Sequence, residues 1–174
     1  MRVEKDFIGS ENIPTSAKYG INSFRASKNF PNDTKFPMEW YKAMGLVKLA
    51  VYRAYAIFKK ALDDRFNENP PVKTIGDDVV AKMQAAAIQV SRGDHFKDFI
   101  VPALSGGAGT SINMNINEII ANVSLLEMGA SPGSYGIVDP FEHANVFQST
   151  NDVVPTALKV ATMFFLNELE QAVN

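Results

Sequence analysis

The sequence predicts a mainly α-helical fold. Four long segments repeat apolar residues at helical spacing, and glycines and prolines separate them. Of the 174 residues, 46% are hydrophobic and 21% charged, which is the balance of a folded globular chain. A chain of this length is expected to form one domain, or one domain and part of a second.

Residues 1–37 are predicted to form an irregular arm with a short hairpin or turn. This stretch is interrupted too often for a long helix, by Gly9, Pro14, Gly20, Pro31 and Pro37. Apolar spacing then predicts one long helix from Met38 to Phe66, which Asn69, Pro70 and Pro71 are expected to end. Its aromatic residues are expected in the core: Trp40, Tyr41, Tyr52, Tyr55 and Phe58.

A second helix is predicted over Asp77–Ser91. The segment from Thr74 to Asp77 supplies capping residues at its start, and Gly93 is suited to its end. Residues 94–109 show no helical period and finish in a glycine-rich turn.

Two further helices complete the prediction. The third covers Ser111–Met128 and stops at Gly129. The last begins near Asn151 or Asp152 and continues to the final residue, with Pro155 tolerated in its first turn.

The last predicted helix is apolar around most of its circumference. A helix of this kind is expected to be buried on most sides. It reaches Asn174 without a cap or a stop signal, so we expect the sequence to be truncated inside the helix. Without its partners, one patch is expected to drive self-association: Phe164, Phe165, Leu166 and Leu169.

Composition argues against several classes of partner. A net charge of −2 gives no reason to expect nucleic acid or an anionic membrane surface. The sequence has no cysteine, and the spacing of His95 and His143 matches no metal signature. No apolar run is long enough to span a bilayer, and the first residues do not resemble a secretory signal. We therefore expect a cytoplasmic protein without a cofactor.

The segment Ser105–Glu118 is the first candidate for chemistry. Its three glycines allow close approach of a ligand, and Thr110 and Ser111 offer hydroxyls where a helix begins. Asn113 and Asn117 share a helix face, although asparagine is a poor helix former. The alternative is a simple tight turn, with asparagines that cap the helix or face solvent.

The segment His143–Asp152 is the second candidate. Asn145 and the run from Gln148 to Asp152 place polar side chains at the start of an apolar helix. Plain N-capping is the alternative, but one cap needs only one such residue. His143 is expected to be structural and His95 to be solvated. Together the two segments indicate a site for a small anion with more than one negative group.

Several segments together resemble the aspartase/fumarase superfamily, in the same order along the chain. They are Asp6–Ser10, Tyr19–Arg25, Gly106–Glu118 and Gln148–Asp152, with Pro155 and Thr156 after the last. Among its branches, the aspartase pattern fits better than that of class II fumarases. The fumarases typically have Ser where Thr150 stands, and a histidine and asparagine where Asp139 and Phe141 stand.

The resemblance implies reversible elimination of ammonia from L-aspartate to give fumarate, without a metal or organic cofactor. It also implies roles for particular residues. Thr110, Ser149 and Thr150 would hold the carboxylate that takes up charge, Asn151 would position the substrate, and Asn113 would support the pocket.

The resemblance further implies the N-terminal domain of this fold over residues 1–140, followed by the start of a central helix bundle over 141–174. In the family, a homotetramer builds each site from three subunits, and the general base is a serine in a motif like Gly-Ser-x-x-Met-Pro-x-Lys-x-Asn. These 174 residues lack that motif, so we expect them to be inactive alone. A class II fumarase, argininosuccinate lyase or a non-enzymatic helical assembly module remains an alternative.

Overall fold

The computed structural model describes residues 1–67 and 70–174 and is mainly helical, as predicted. A hairpin precedes the helices. The elements are β1 (Arg2–Lys5), β2 (Ser10–Ile13), α1 (Ile21–Asn29), α2 (Met38–Phe66), α3 (Asp77–Arg92), α4 (Thr110–Glu127) and α5 (Thr150–Val173), with a short 3-10 turn at Phe96–Asp98. In these two described ranges no helix is both long and apolar enough to cross a membrane.

The predicted hairpin in the arm is confirmed. Strands β1 and β2 pair antiparallel, with Arg2 opposite Ile13. The Arg2 guanidinium donates hydrogen bonds to backbone carbonyls beyond the hairpin, at Pro14, Ala17 and Tyr19. One side chain therefore fixes the path of the chain from the hairpin to α1.

The prediction that the rest of the arm is irregular was wrong, because residues 21–29 form α1. Its first amides are satisfied from distant parts of the chain. The buried carboxylate of Glu118 accepts from the N–H groups of Gly20 at 2.8 Å and Asn22 at 2.9 Å, and Glu4 accepts from that of Ile21 at 2.8 Å. These carboxylates serve as the cap that the local sequence does not supply.

Helix α2 has the predicted bounds. Asn67 follows it with a left-handed φ of 49°, and the predicted stop at Asn69 lies outside the described residues. The expected core position is confirmed for Trp40, Tyr41, Tyr52 and Tyr55. It was wrong for Phe58, which is 45% exposed and forms an edge-to-face pair with the Phe147 ring.

Helix α3 ends as predicted, with Gly93 in the left-handed conformation at φ 96°. The predicted capping at its start was wrong. Gly76 occupies the N-cap position, so the helix start has no side-chain capping hydrogen bond. Asp77 and Asp78 place negative charge in the first turn. That charge interacts favourably with the positive end of the helix dipole.

The core lies where α2, α3 and α4 meet. Met44 and Tyr52 of α2, Met83 of α3 and Ile116 of α4 are all fully buried. Helices α2 and α3 approach closely at Gly45, where a side chain would collide with the backbone of Ser91.

Helix α5 begins at Thr150, one or two residues earlier than the predicted Asn151 or Asp152, because Ser149 and Asp152 form a capping box. Its buried residues, Val153, Ala157 and Ala161, lie on one side. The expectation of burial on most sides is therefore wrong for the single chain. Exposed apolar residues cover the remainder, among them Leu158, Met163, Leu166 and Leu169.

Candidate functional site

The starts of α4 and α5 lie side by side. Gly109, with a φ of +86°, precedes α4, and a Cβ at this position would lie 3.1 Å from Cγ1 of Val154 in α5. One turn into α4, the side-chain amide of Asn113 donates to Oδ1 of Asn145 at 3.0 Å. The two segments that the sequence singles out are thus neighbours in space.

Thr110 lies at the exposed start of α4. Its hydroxyl donates to the carbonyl of Gly107 at 2.8 Å. The residue lines an open cavity of about 430 Å³, together with Arg25, Gly106 and Met114. A hydroxyl held only by a surface carbonyl can turn towards a ligand in this cavity.

Ser149, Thr150 and Asn151 form the first turn of α5. Oγ of Ser149 accepts from the N–H of Asn151 at 3.2 Å, and Oδ2 of Asp152 accepts from the N–H of Ser149 at 2.8 Å. The segment therefore caps the N-terminus of α5, which was the alternative to a ligand-binding role. It leaves the Ser149 hydroxyl proton free to be donated to a ligand.

The predicted site residues are gathered at two adjoining helix starts rather than in one enclosed pocket. In the described part of the chain, the cavity beside Thr110 is not lined by Ser149, Thr150 or Asn151. Asn113 lies beneath, fully inside the protein.

The asparagines of α4 are buried, so the alternative that they face solvent was wrong. Asn115 has a structural role, because its Oδ1 accepts from the backbone N–H groups of Ile100 and Val101 at 2.9 and 3.1 Å. Asn113 and Asn117 instead both donate to Oδ1 of Asn145, at 3.0 and 3.2 Å. These two asparagines therefore connect α4 to the turn before α5.

Lys48 is the residue that the sequence analysis missed. Its side chain is fully buried, and Nζ donates to Oε1 of Gln148 at 2.8 Å and to Oδ1 of Asn145 at 3.5 Å. Burial lowers the pKa of Lys48 to about 7. Helical spacing gave a usable signal, since Lys48 lies midway between the buried residues Met44 and Tyr52 on one face of α2.

The two histidines have different surroundings. Nδ1 of His143 accepts from the backbone N–H of Asp139 at 2.9 Å, in agreement with the expected structural role. The expectation that His95 is solvated was wrong, because it is partly buried and its Nε2 contacts Oε1 of Gln89 at 2.9 Å. Burial lowers the pKa of His95. Within residues 1–67 and 70–174, no three His, Asp or Glu side chains cluster in a way that could hold a metal ion.

The chain is similar in sequence to several aspartate ammonia-lyases. The chain is 41% identical over 170 residues to an aspartate ammonia-lyase from Bacillus sp, covering 97% of this chain and 33% of the relative. It is 35% identical to the aspartate ammonia-lyase of Escherichia coli K12, covering 100% of this chain and 34% of the relative. The chain thus spans about a third of the length of the curated relatives that it matches.

Solved structures agree in fold. A fumarate lyase:delta crystallin from Brucella melitensis matches with a TM-score of 0.82 and 31% identity, covering 99% of this chain and 36% of that one. A class II fumarase from Schistosoma mansoni matches with a TM-score of 0.72 over 92% of this chain and 31% of the other, and at 24% identity it supports the fold alone. A family model described as lyase matches residues 14–174. The chain therefore belongs to this lyase family.

Proposed function

We propose that residues 1–174 supply the carboxylate-binding part of an active site that eliminates ammonia from L-aspartate to give fumarate. The observation that carries this proposal is the adjacency of the α4 and α5 starts, where Gly109 packs on Val154. Two adjoining helix N-termini offer positive dipole ends and hydroxyl donors, which favours an anion beside them. The aspartate ammonia-lyases from Bacillus and Escherichia coli support L-aspartate as the substrate.

In the proposed reaction, a base removes a proton from the carbon next to the β-carboxylate, and the electron pair is taken up by that carboxylate as an enediolate-like dianion. Collapse of the dianion forms the C=C bond of fumarate and breaks the C–N bond, which releases ammonia. The hydroxyls of Thr110, Ser149 and Thr150 donate to that carboxylate as its charge grows. The negative charge on this carboxylate is larger in the transition state than in the ground state, so hydrogen bonds to it stabilise the transition state more. Donors that are already in place at a helix start also need little reorganisation. Asn151 positions the substrate and Asn113 supports the pocket from below.

We propose that other segments or subunits complete the site. The hydroxyls of Thr110 and Ser149 share no enclosed cavity in the described part of the chain, and the serine motif expected for the base is not among the 174 residues. Residues 1–140 then act as the N-terminal domain and 141–174 as the start of a bundle in a cytoplasmic homotetramer. Residues 1–174 alone are expected to release no fumarate.

The test is kinetic and uses the full-length gene product, assayed with aspartate, malate and argininosuccinate. Aspartate should give fumarate, seen as absorbance at 240 nm. Thr110→Ala and Ser149→Ala should each lower kcat/KM by about 100-fold or more, because each removes one donor to the developing oxyanion. The matched control is Ser131→Ala, an exposed serine in the loop after α4, which should leave kcat/KM unchanged.

Two results would reject the proposal. Turnover of malate or argininosuccinate in preference to aspartate would assign the site to a different lyase of the family. If the full-length gene product assembles but turns over none of the three substrates, and both variants assemble as the wild type does, the non-enzymatic helical module is favoured.

A further inference from the structure

The side-chain nitrogen of Lys48 is buried without a negatively charged partner within the part of the chain that the structure describes. It forms no ion pair with any residue in the described ranges 1–67 and 70–174. Its hydrogen-bond acceptors are the neutral amide oxygens of Gln148 and Asn145. An unpaired buried charge is costly, so its position needs an explanation beyond packing.

The hydrogen-bonded network around Lys48 consists of neutral groups from α2, α4 and the turn before α5. Asn113 and Asn117 of α4 bond to the same Oδ1 of Asn145 that Lys48 contacts. One turn further along α2, the hydroxyl of Tyr52 donates to the carbonyl of Ala144 at 2.6 Å, and burial raises the pKa of that hydroxyl. None of these groups offers a full negative charge.

The network has spare acceptors. Oδ1 of Asn113 and Oδ1 of Asn117 are buried and have no hydrogen-bond partner among the described residues. Both amides are held by their nitrogen atoms alone. A spare acceptor is satisfied by a hydrogen-bond donor, so the cluster favours an ammonium group beside it.

Gln148 connects this cluster to the proposed site, because it directly precedes Ser149, the cap residue of α5. The backbone carbonyl of Gln148 also accepts from the side-chain amide of Asn145 at 3.0 Å. Lys48 thus holds both side chains that shape the turn carrying Ser149 and Thr150.

We propose that Lys48 is a positioning residue of the anion site, which fixes the Asn145–Gln148 turn and supplies the positive charge that a dicarboxylate at the α5 start compensates. This inference rests on the proposed function. An anion near the turn stabilises the ammonium form, so binding of a dianion should be accompanied by uptake of a proton at and above neutral pH. The unliganded pKa of about 7 places this effect in an accessible range.

The experiment measures fumarate binding to the full-length gene product by calorimetry from pH 6 to pH 9, in buffers of different ionisation enthalpy. The wild type should take up protons near pH 8 and bind more weakly as the pH rises. Lys48→Met should bind about tenfold more weakly at pH 6, as expected for loss of one nearby charge at moderate screening. The difference should shrink towards pH 9 and proton uptake should fall. Lys60→Met, on the exposed side of α2, is the control.

Absence of proton uptake in the wild type would overturn the proposal even if Lys48→Met fails to fold. Equal affinities of the wild type and a folded Lys48→Met or Lys48→Gln variant at every pH would also overturn it. If the wild type binds no fumarate, the proposed function fails separately. Hydrogen exchange over residues 144–152 then decides, since equal exchange in wild type and variant contradicts a positioning role.

Discussion

At the scale of single residues, Glu118 shows how a buried charge can support local structure. Its carboxylate accepts from the N–H groups of Gly20, Asn22 and Ser23 and from the Ser23 hydroxyl. Burial raises the pKa of Glu118, and these hydrogen bonds oppose that shift. The backbone N–H groups can only donate, and they bond to both carboxylate oxygens, so each oxygen must act as an acceptor.

Glu118→Gln is therefore expected to destabilise the chain, because the new NH₂ group faces N–H donors that then lose an acceptor. The free energy of unfolding should fall by about 2–3 kcal/mol. Urea denaturation of the purified chain measures this. Glu127→Gln, near the exposed end of the same helix, should change stability by less than about 0.5 kcal/mol. A similar effect of both substitutions would contradict the role given to Glu118.

Residue roles were only partly predictable. The grouping of Thr110 and Ser149 at helix starts followed from helical period and capping chemistry, which are local properties. The burial of Glu118 did not, because a glutamate is ordinarily solvated, and the spacing of Lys48 between Met44 and Tyr52 was only a partial signal of its burial. Their positions depend on which other elements pack against that face, and that information is distributed over the whole chain.

At the scale of elements, α2 and α4 were predicted to within one residue because their period is long and regular. Helix α1 was missed because its nine residues are stabilised through Glu4 and Glu118 rather than by a local cap. Packing between helices, like the capping of α1, depends on residues that are distant in the sequence, so it could not be predicted locally. The contact of α2 with α3 at Gly45 is an example.

Gly45→Ala tests that contact. Helix propensity alone favours alanine by about 1 kcal/mol. The structure predicts the opposite sign, because the added methyl group would collide with the backbone of Ser91, which cannot move aside as a flexible side chain can. We expect a loss of about 1–3 kcal/mol in thermal or urea unfolding. Gly136→Ala, which meets nothing within 4 Å, is the control, and a stabilised Gly45→Ala variant would refute the packing argument.

At the scale of the whole molecule, the chain carries an apolar surface along α5. Leu166 and Leu169 are 56% and 58% exposed, as expected for the patch that lacks its partners in the single chain. The chain spans about a third of its curated relatives, so contacts with other segments or subunits are proposed to cover this surface.

The exposed face of α5 should cause self-association. Sedimentation of the 174-residue chain at micromolar concentration is expected to show species larger than a monomer. Leu166→Gln combined with Leu169→Gln should shift the population towards monomer, whereas the control Leu104→Gln, an exposed residue outside α5, should not. A wild-type chain that sediments as a sharp monomer would contradict this expectation.

The central claim is that the adjoining starts of α4 and α5 bind one small dicarboxylate. A crystal structure of the full-length gene product with fumarate tests it most directly. We predict carboxylate oxygens at about 2.5–3.0 Å from the hydroxyl oxygens of Thr110, Ser149 and Thr150, the range of an O–H···O hydrogen bond. Fumarate bound elsewhere, with these three hydroxyls in contact only with water, would contradict the account.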